Sequence, residues 1–155
     1  ERVQAMLEQN LGIPVVTSVL PADQHYERME MGKAQFWRQG WIVDHPDPEN
    51  FLALFYGKSV PSDTSEPSDL NSTRYRNARY DSLFARALRT SQVAERMSLL
   101  AAAERQLMED MVVAPLYHER SVRLLQPGVR DLPINGMEHR DLRGVWFDPE
   151  VRATR

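Results

Sequence analysis

Along the first 43 residues the apolar pattern alternates between the period of a helix and that of a strand. Val3, Met6, Leu7 and Leu11, together with Asn10, mark one face of a helix, and Gly12 is placed to close it in a left-handed conformation. Residues 13–20 carry Ile13, Val15, Val16, Thr17 and Val19, the β-branched composition of a strand. Pro21 suits the first turn of a second helix, whose apolar face is Ala22, Tyr26 and Met29 and whose end is Gly32. Residues 34–43, with Phe36, Trp37, Trp41 and Ile42, predict a second strand. This α-β-α-β order argues for an α/β sheet with right-handed crossovers.

From Asp44 the pattern changes. His45-Pro46-Asp47-Pro48 cannot prolong a strand, because two prolines remove amide donors and restrict the residues before them. Residues 51–56 predict a short helix, and 58–72, with two prolines, three acids and five serines, a surface loop. A loop of that length without regular structure points to function or insertion. Residues 81–89 place Leu83, Phe84, Ala87 and Leu88 on one side of a helix. Residues 92–111 place Val93, Met97, Leu100, Ala103, Leu107 and Met111 at three- and four-residue steps, with Ser91 as the expected N-cap. The charges on 86–89 and 95–105 read as solvated faces. Residues 111–125 are strand-like, Pro127-Gly128 breaks the chain, and 143–147 predicts a last short strand.

Composition narrows the function classes. The 155 residues are enough for one domain with a single core. A net charge of −3 provides no basic field to gather phosphates, so nucleic acid is not an expected partner. With no cysteine there is neither a disulfide framework nor a thiolate metal site, and the count fits a cytosolic or a periplasmic chain equally. The chain opens on Glu1 inside an amphipathic helix, without an initiator Met, a basic leader or an apolar leader segment, and is expected to be an excised piece of a longer protein.

The densest chemistry lies in Gly40-Trp41-Ile42-Val43-Asp44-His45-Pro46-Asp47-Pro48. A strand that ends in a carboxylate beside an aromatic, at the rim of an α/β sheet, is where such folds place ligand sites. Asp44 could pair with a cationic group while Trp41 covers an apolar one. The alternative is that Asp44 or Asp47 caps the next helix and Trp41 belongs to the core. Arg38, three residues before Trp41, fits an exposed strand edge or a ligand contact. Asp44, His45 and Asp47 match no metal-loop spacing, and His25, His45, His118 and His139 are scattered, so neither metal nor cofactor is expected. There is no Gly-x-Ser-x-Gly elbow, no cysteine nucleophile and no glycine-rich phosphate loop; no catalytic residue is assigned.

In order, these pieces resemble the C-terminal third of bacterial extracellular solute-binding protein family 5, the oligopeptide, dipeptide and nickel binders of ABC importers. The matching stretches are Leu11-Gly12-Ile13 before the strand at 15–20, Gly40-Trp41 followed by Asp44-x-Pro-Asp-Pro with Asn50-Phe51, and Asn71…Tyr75…Asn77-x-x-Tyr80-Asp81. Ala94-Glu95-Arg96, Ala103-Glu104, Leu107-Met108-Glu109-Asp110, Pro115-Leu116-Tyr117-His118 and Leu124…Pro127…Val129 complete the match.

The resemblance implies a periplasmic-binding-protein-like lobe, a mixed sheet flanked by helices, from a two-lobed clamp outside the cytoplasmic membrane. It implies that residues 1–112 form the second lobe, that 111–125 is the strand crossing the hinge, and that the rest of 113–155 returns towards the other lobe. The implied partners are a peptide or similar small solute and a membrane permease. Asp44 would meet the peptide α-ammonium, Trp41 would line the cavity, and Arg38 stands where one member carries an arginine for the ligand carboxylate. Ala22 stands where some relatives have a lining tryptophan. Carriers of nickel, haem or oligosaccharide, and ligand-sensing domains of transcription regulators, share the scaffold. The tail from Gly128, rich in Val129, Leu132, Ile134, Val145, Trp146 and Phe147, is expected to be mobile or to self-associate with a second copy.

Overall fold

The computed structural model describes residues 1–118, 120 and 122–151. The elements run α1 (Arg2–Leu11), α2 (Ala22–Glu30), α3 (Glu49–Leu52), two 3₁₀ turns (Ala53–Phe55 and Gly57–Ser59), α4 (Ala78–Ala87), α5 (Val93–Glu109), β1 (Val129–Arg130) and β2 (Trp146–Phe147). None of these helices is long and apolar enough to cross a membrane.

The core is a helical hairpin. Along α4, Tyr80, Phe84 and Ala87 recur at three- and four-residue steps and are buried, and Leu99, Leu100, Ala103 and Leu107 answer them from α5. Leu52 of α3 completes the cluster, and Tyr56, Tyr75, Leu83, Val112 and Val113 pack on its margin. Tyr80 and Phe84 stack with their planes 9° apart, and Tyr75 meets the Tyr80 ring edge-on. Each fully buried large side chain contributes about 1.5–3 kcal/mol of transfer free energy. The Tyr80 hydroxyl is not left orphaned, since it donates to the Leu52 carbonyl at 2.6 Å and so fixes the end of α3 to the hairpin.

Local chemistry sets the helix ends. Asn77 accepts from the amides of Arg79 and Tyr80, so α4 starts three residues before the expected position. Gln92, not Ser91, caps α5, its side-chain carbonyl accepting the Glu95 amide at 2.6 Å. Gly12 ends α1 with φ +66°, and Gly32 ends α2 with the same φ while the Lys33 amide bonds back to the Arg28 carbonyl. The loop expected over 58–72 is more organised than its composition suggests. Asn71, fully buried, donates to the carbonyls of Tyr56 and Tyr75 and accepts from the Thr73 hydroxyl and the Tyr75 amide. Arg74, at φ +54°, donates to the carbonyls of Glu30 and Glu66 and so clasps the loop to the end of α2.

The expected α/β class is met only coarsely, as helices with one small sheet. That sheet is the antiparallel pair β1–β2, with Val129 opposite Phe147 and Arg130 opposite Trp146; the strand expected over 143–147 shrinks to its last two residues. The expected strands at 13–20 and 34–43 form no ladder, nor do the described residues of 111–125; residues 119, 121 and 152–155 lie outside the description. Strand composition sets how a segment fits a pleated surface, but a ladder needs a second backbone bonded to it, and among the described residues none forms a ladder with these segments. Side chains take over part of that duty. Gln4 of α1 donates to the Val15 carbonyl at 2.8 Å and accepts from the Thr17 hydroxyl, and Glu8 accepts the Val15 amide. The apolar side chains remain open to solvent, Val16 and Val19 at 94% and 90% exposure.

Candidate functional site

The segment from Trp41 to Asn50 is positioned from its far end. Asn50 lies in the first turn of α3, and Leu52, two residues on, is buried in the helical core. The Asn50 side chain therefore extends from a fixed backbone, and it is itself only 8% exposed. Its Oδ1 accepts the Trp41 indole N–H at 2.8 Å and the Asp44 amide at 3.3 Å. Its Nδ2 donates to Asp44 Oδ2 at 3.2 Å and lies 3.4 Å from His45 Nδ1. One amide thus gathers the aromatic and the carboxylate singled out in the sequence. Both stay open to water, Asp44 as an exposed residue and Trp41 at 39% exposure.

Asp47 and Asp44 have different roles. Asp47 Oδ1 accepts the Glu49 amide at 2.8 Å, the capping alternative raised above, and its carboxylate faces Arg96 of α5 in a fork. Arg96 Nη1 lies 2.6 Å from Asp47 Oδ2 and Nη2 3.0 Å from Oδ1, while Nη2 also reaches Glu49 Oε2 at 2.9 Å. Arg96 is therefore no member of a solvated face, as its helix position suggested; it joins α5 to the start of α3. Its hydrogen bonds hold the Asp47 carboxyl below its usual titration range, partial burial opposing, with the Glu49 amide helping. Asp44, His45 and Asp47 do not converge as ligands, and among the described residues no group of three or more such side chains could hold a metal ion.

Arg38 belongs to another set of contacts. Its Nη2 donates to the Tyr117 hydroxyl at 3.0 Å, across 79 residues of chain, and its carbonyl lies 3.3 Å from His25 Nε2. The structure thus brings Trp41 and Asp44 together through Asn50 and places Arg38 with Tyr117 and His25. Sequence reasoning missed the organising roles of Asn50 and Arg96. Asn50 carried a faint signal, a polar residue in the first turn behind Pro48, whereas nothing in local spacing connects Arg96 with a carboxylate 49 residues earlier.

What this arrangement can do is hold one anionic group and one apolar face side by side at the surface, the Asp44 carboxylate able to attract a cation and the indole to cover hydrocarbon. No family model matches the chain. It is 31% identical over 136 residues to the periplasmic murein peptide-binding protein MppA of Escherichia coli, covering 88% of this chain and 24% of that protein. It is 29% identical over 147 residues to the oligopeptide-binding protein OppA of Bacillus subtilis, covering 95% of this chain and 26% of that protein. With the dipeptide-binding protein DppE of the same organism the identity is 26% over 148 residues, covering 96% and 25%. The chain spans about a quarter of the length of the curated relatives it matches.

Proposed function

We infer that this chain, which belongs to bacterial extracellular solute-binding protein family 5, is the C-terminal portion of a periplasmic or extracellular protein that captures peptides for an ABC importer. It acts as a binding module and not as a catalyst. The observation that carries the reading is the joint placement of Asp44 and Trp41 by Asn50, with Asp44 exposed and Trp41 partly so.

In this reading the peptide α-ammonium pairs with Asp44, and the indole of Trp41 lies against the first side chain. Such a pair contributes only where hydrogen bonds offset desolvation, and Asn50 supplies one to Asp44 from a buried position. Arg38 is the candidate for the ligand carboxylate; its bond to Tyr117 would have to open or be shared for that contact. Residues 1–112 form the second lobe, and 113–155 cross the hinge and return. In keeping with that boundary, the buried members of the apolar core, Leu52 to Leu107, all lie before it. The rest of the clamp would supply the missing ladder neighbours of 13–20 and 34–43 and the cover for the apolar side chains along 122–142, Leu124 among them at 96% exposure.

The test is calorimetric titration of the full-length protein with a peptide and its N-acetylated form. Asp44→Ala is expected to cost about 2–5 kcal/mol of binding for the free peptide, as truncation of one partner of a desolvated pair does, and little for the acetylated one. Affinities indifferent to both acetylation and Asp44→Ala would overturn the assignment.

A further inference from the structure

We propose that Asn50 is the positioning residue of this site, setting the spacing between the Asp44 carboxylate and the Trp41 ring and hence the preference for a ligand with a free ammonium beside an apolar group. The proposal rests on the peptide-binding reading of Asp44 and Trp41 and adds the residue that makes the two act as one.

The amide's orientation follows from its neighbours' chemistry. An indole N–H can only donate, so it must face Oδ1; a carboxylate can only accept, so it must face Nδ2. With Trp41 Nε1 at 2.8 Å and Asp44 Oδ2 at 3.2 Å, one planar group satisfies both demands at once. Asp44 is doubly bound, because its own amide also donates to Oδ1 at 3.3 Å. The contact uses one carboxylate oxygen, Oδ2, which leaves Oδ1 as the acceptor for an ammonium.

The support behind Asn50 is stiff. Its amide donates to the Asp47 carbonyl at 3.1 Å, Asp47 is gripped by Arg96, and Leu52 is fixed through its carbonyl by Tyr80. Few residue types could do the same. Aspartate has the same shape but would set a second carboxylate against Asp44. Serine is too short to bridge the two, and leucine would leave the indole N–H and the Asp44 amide without their acceptor.

The experiment uses the full-length protein with ¹⁵N-labelled tryptophan, and trialanine with its N-acetyl form as ligands. In the unmutated protein the Trp41 indole proton, assigned through Trp41→Phe, should exchange more slowly than a free indole. Asn50→Leu, which removes these contacts without adding charge, should shift that resonance and reduce the preference for free over acetylated trialanine at least tenfold, with most of the loss in affinity for the free form. Asn50→Ser, which keeps a hydroxyl too short to bridge the two, should show the same loss of preference more weakly. An unprotected Trp41 indole proton, or a preference for the free amine that survives both substitutions, overturns the proposal. If the unmutated protein binds both forms equally, it is the Asp44 reading that fails, and the indole resonance alone still decides whether Asn50 holds Trp41.

Discussion

Replacing Arg96 with methionine would remove the guanidinium and keep an unbranched apolar stem on α5, isolating the fork that grips Asp47 and Glu49. Three hydrogen bonds of 2.6, 3.0 and 2.9 Å disappear, and two neighbouring carboxylates lose their common cation. The side chains of Arg96 and Asp47 are 19% and 24% exposed, between the open pairs that contribute about 0–1 kcal/mol and the buried ones whose truncation costs about 3–5. A loss of roughly 1–3 kcal/mol in unfolding free energy is the expected outcome near neutral pH. The pH dependence has a definite sign. Because hydrogen bonds from Arg96 lower the folded-state value of the Asp47 carboxyl below 3.8, the pair's contribution is complete above the unfolded value and fades as pH falls through the folded one. The cost of Arg96→Met should therefore be largest at neutral pH and shrink in strong acid, below the folded-state value. Asp47→Asn removes the charge but keeps an acceptor for the Glu49 amide, whereas Asp47→Ala removes both and should cost about 0.5–2 kcal/mol more. Urea unfolding followed by circular dichroism at neutral and strongly acid pH measures all three. A cost for Arg96→Met that is the same in acid as at neutrality, or identical costs for the two Asp47 variants, would refute this account.

Two further outcomes test the scaffold. A Cβ on Gly57 would run into the Asp81 carboxylate, 3.0 Å from Oδ1 and 3.1 Å from Cγ, and displacing that group forfeits its 2.8 Å bond from the Gly57 amide. Gly57→Ala should therefore cost about 1.5–3 kcal/mol in urea unfolding and almost nothing in an Asp81→Ala background, and equal costs in both would contradict the steric cause. Asn71→Leu keeps the γ-branched shape with bulkier ends and strips four hydrogen bonds from a fully buried site, so a loss of about 2–4 kcal/mol and faster proteolytic cleavage within 61–75 are expected; unchanged cleavage would show that Asn71 does not tie the loop.

The helices were legible because their signals are local. Spacing of Phe84 and Ala87 against Leu100, Ala103 and Leu107 carries the hairpin, and Gly12 and Gly32 mark their helix ends through a conformation that other residues avoid. The strands were misjudged for the opposite reason. Val15, Val16 and Val19 suit a sheet, but a composition cannot say whether a neighbouring backbone is present to pair with them. Trp41 and Asp44 stood out as a pair, since an aromatic and a carboxylate at a predicted strand end form a recognisable combination. Asn50 and Arg96 did not, because one amide among polar loop residues and one arginine on a charged helix look alike whether they are solvated or bound. Their roles exist only after folding brings α5 against the start of α3.

The path from the core to the site then explains why the two halves of this chain differ in character. Tyr80 fixes the Leu52 carbonyl, Arg96 fixes Asp47 and Glu49, and between those two anchors Asn50 has little freedom to move. Asp44 and Trp41 inherit that stiffness from the Asn50 side, while the segment before them, 34–40, has no ladder to hold it. Ligand recognition of the kind inferred here needs the carboxylate held still, because an ammonium left without a fixed acceptor recovers less than it loses in leaving water. A site anchored on its helical side can keep that geometry although 34–40 has no ladder beside it. The order of dependence therefore runs from the α4–α5 hairpin to α3, from α3 to Asn50, and from Asn50 to Asp44 and Trp41, the two residues proposed to face the ligand.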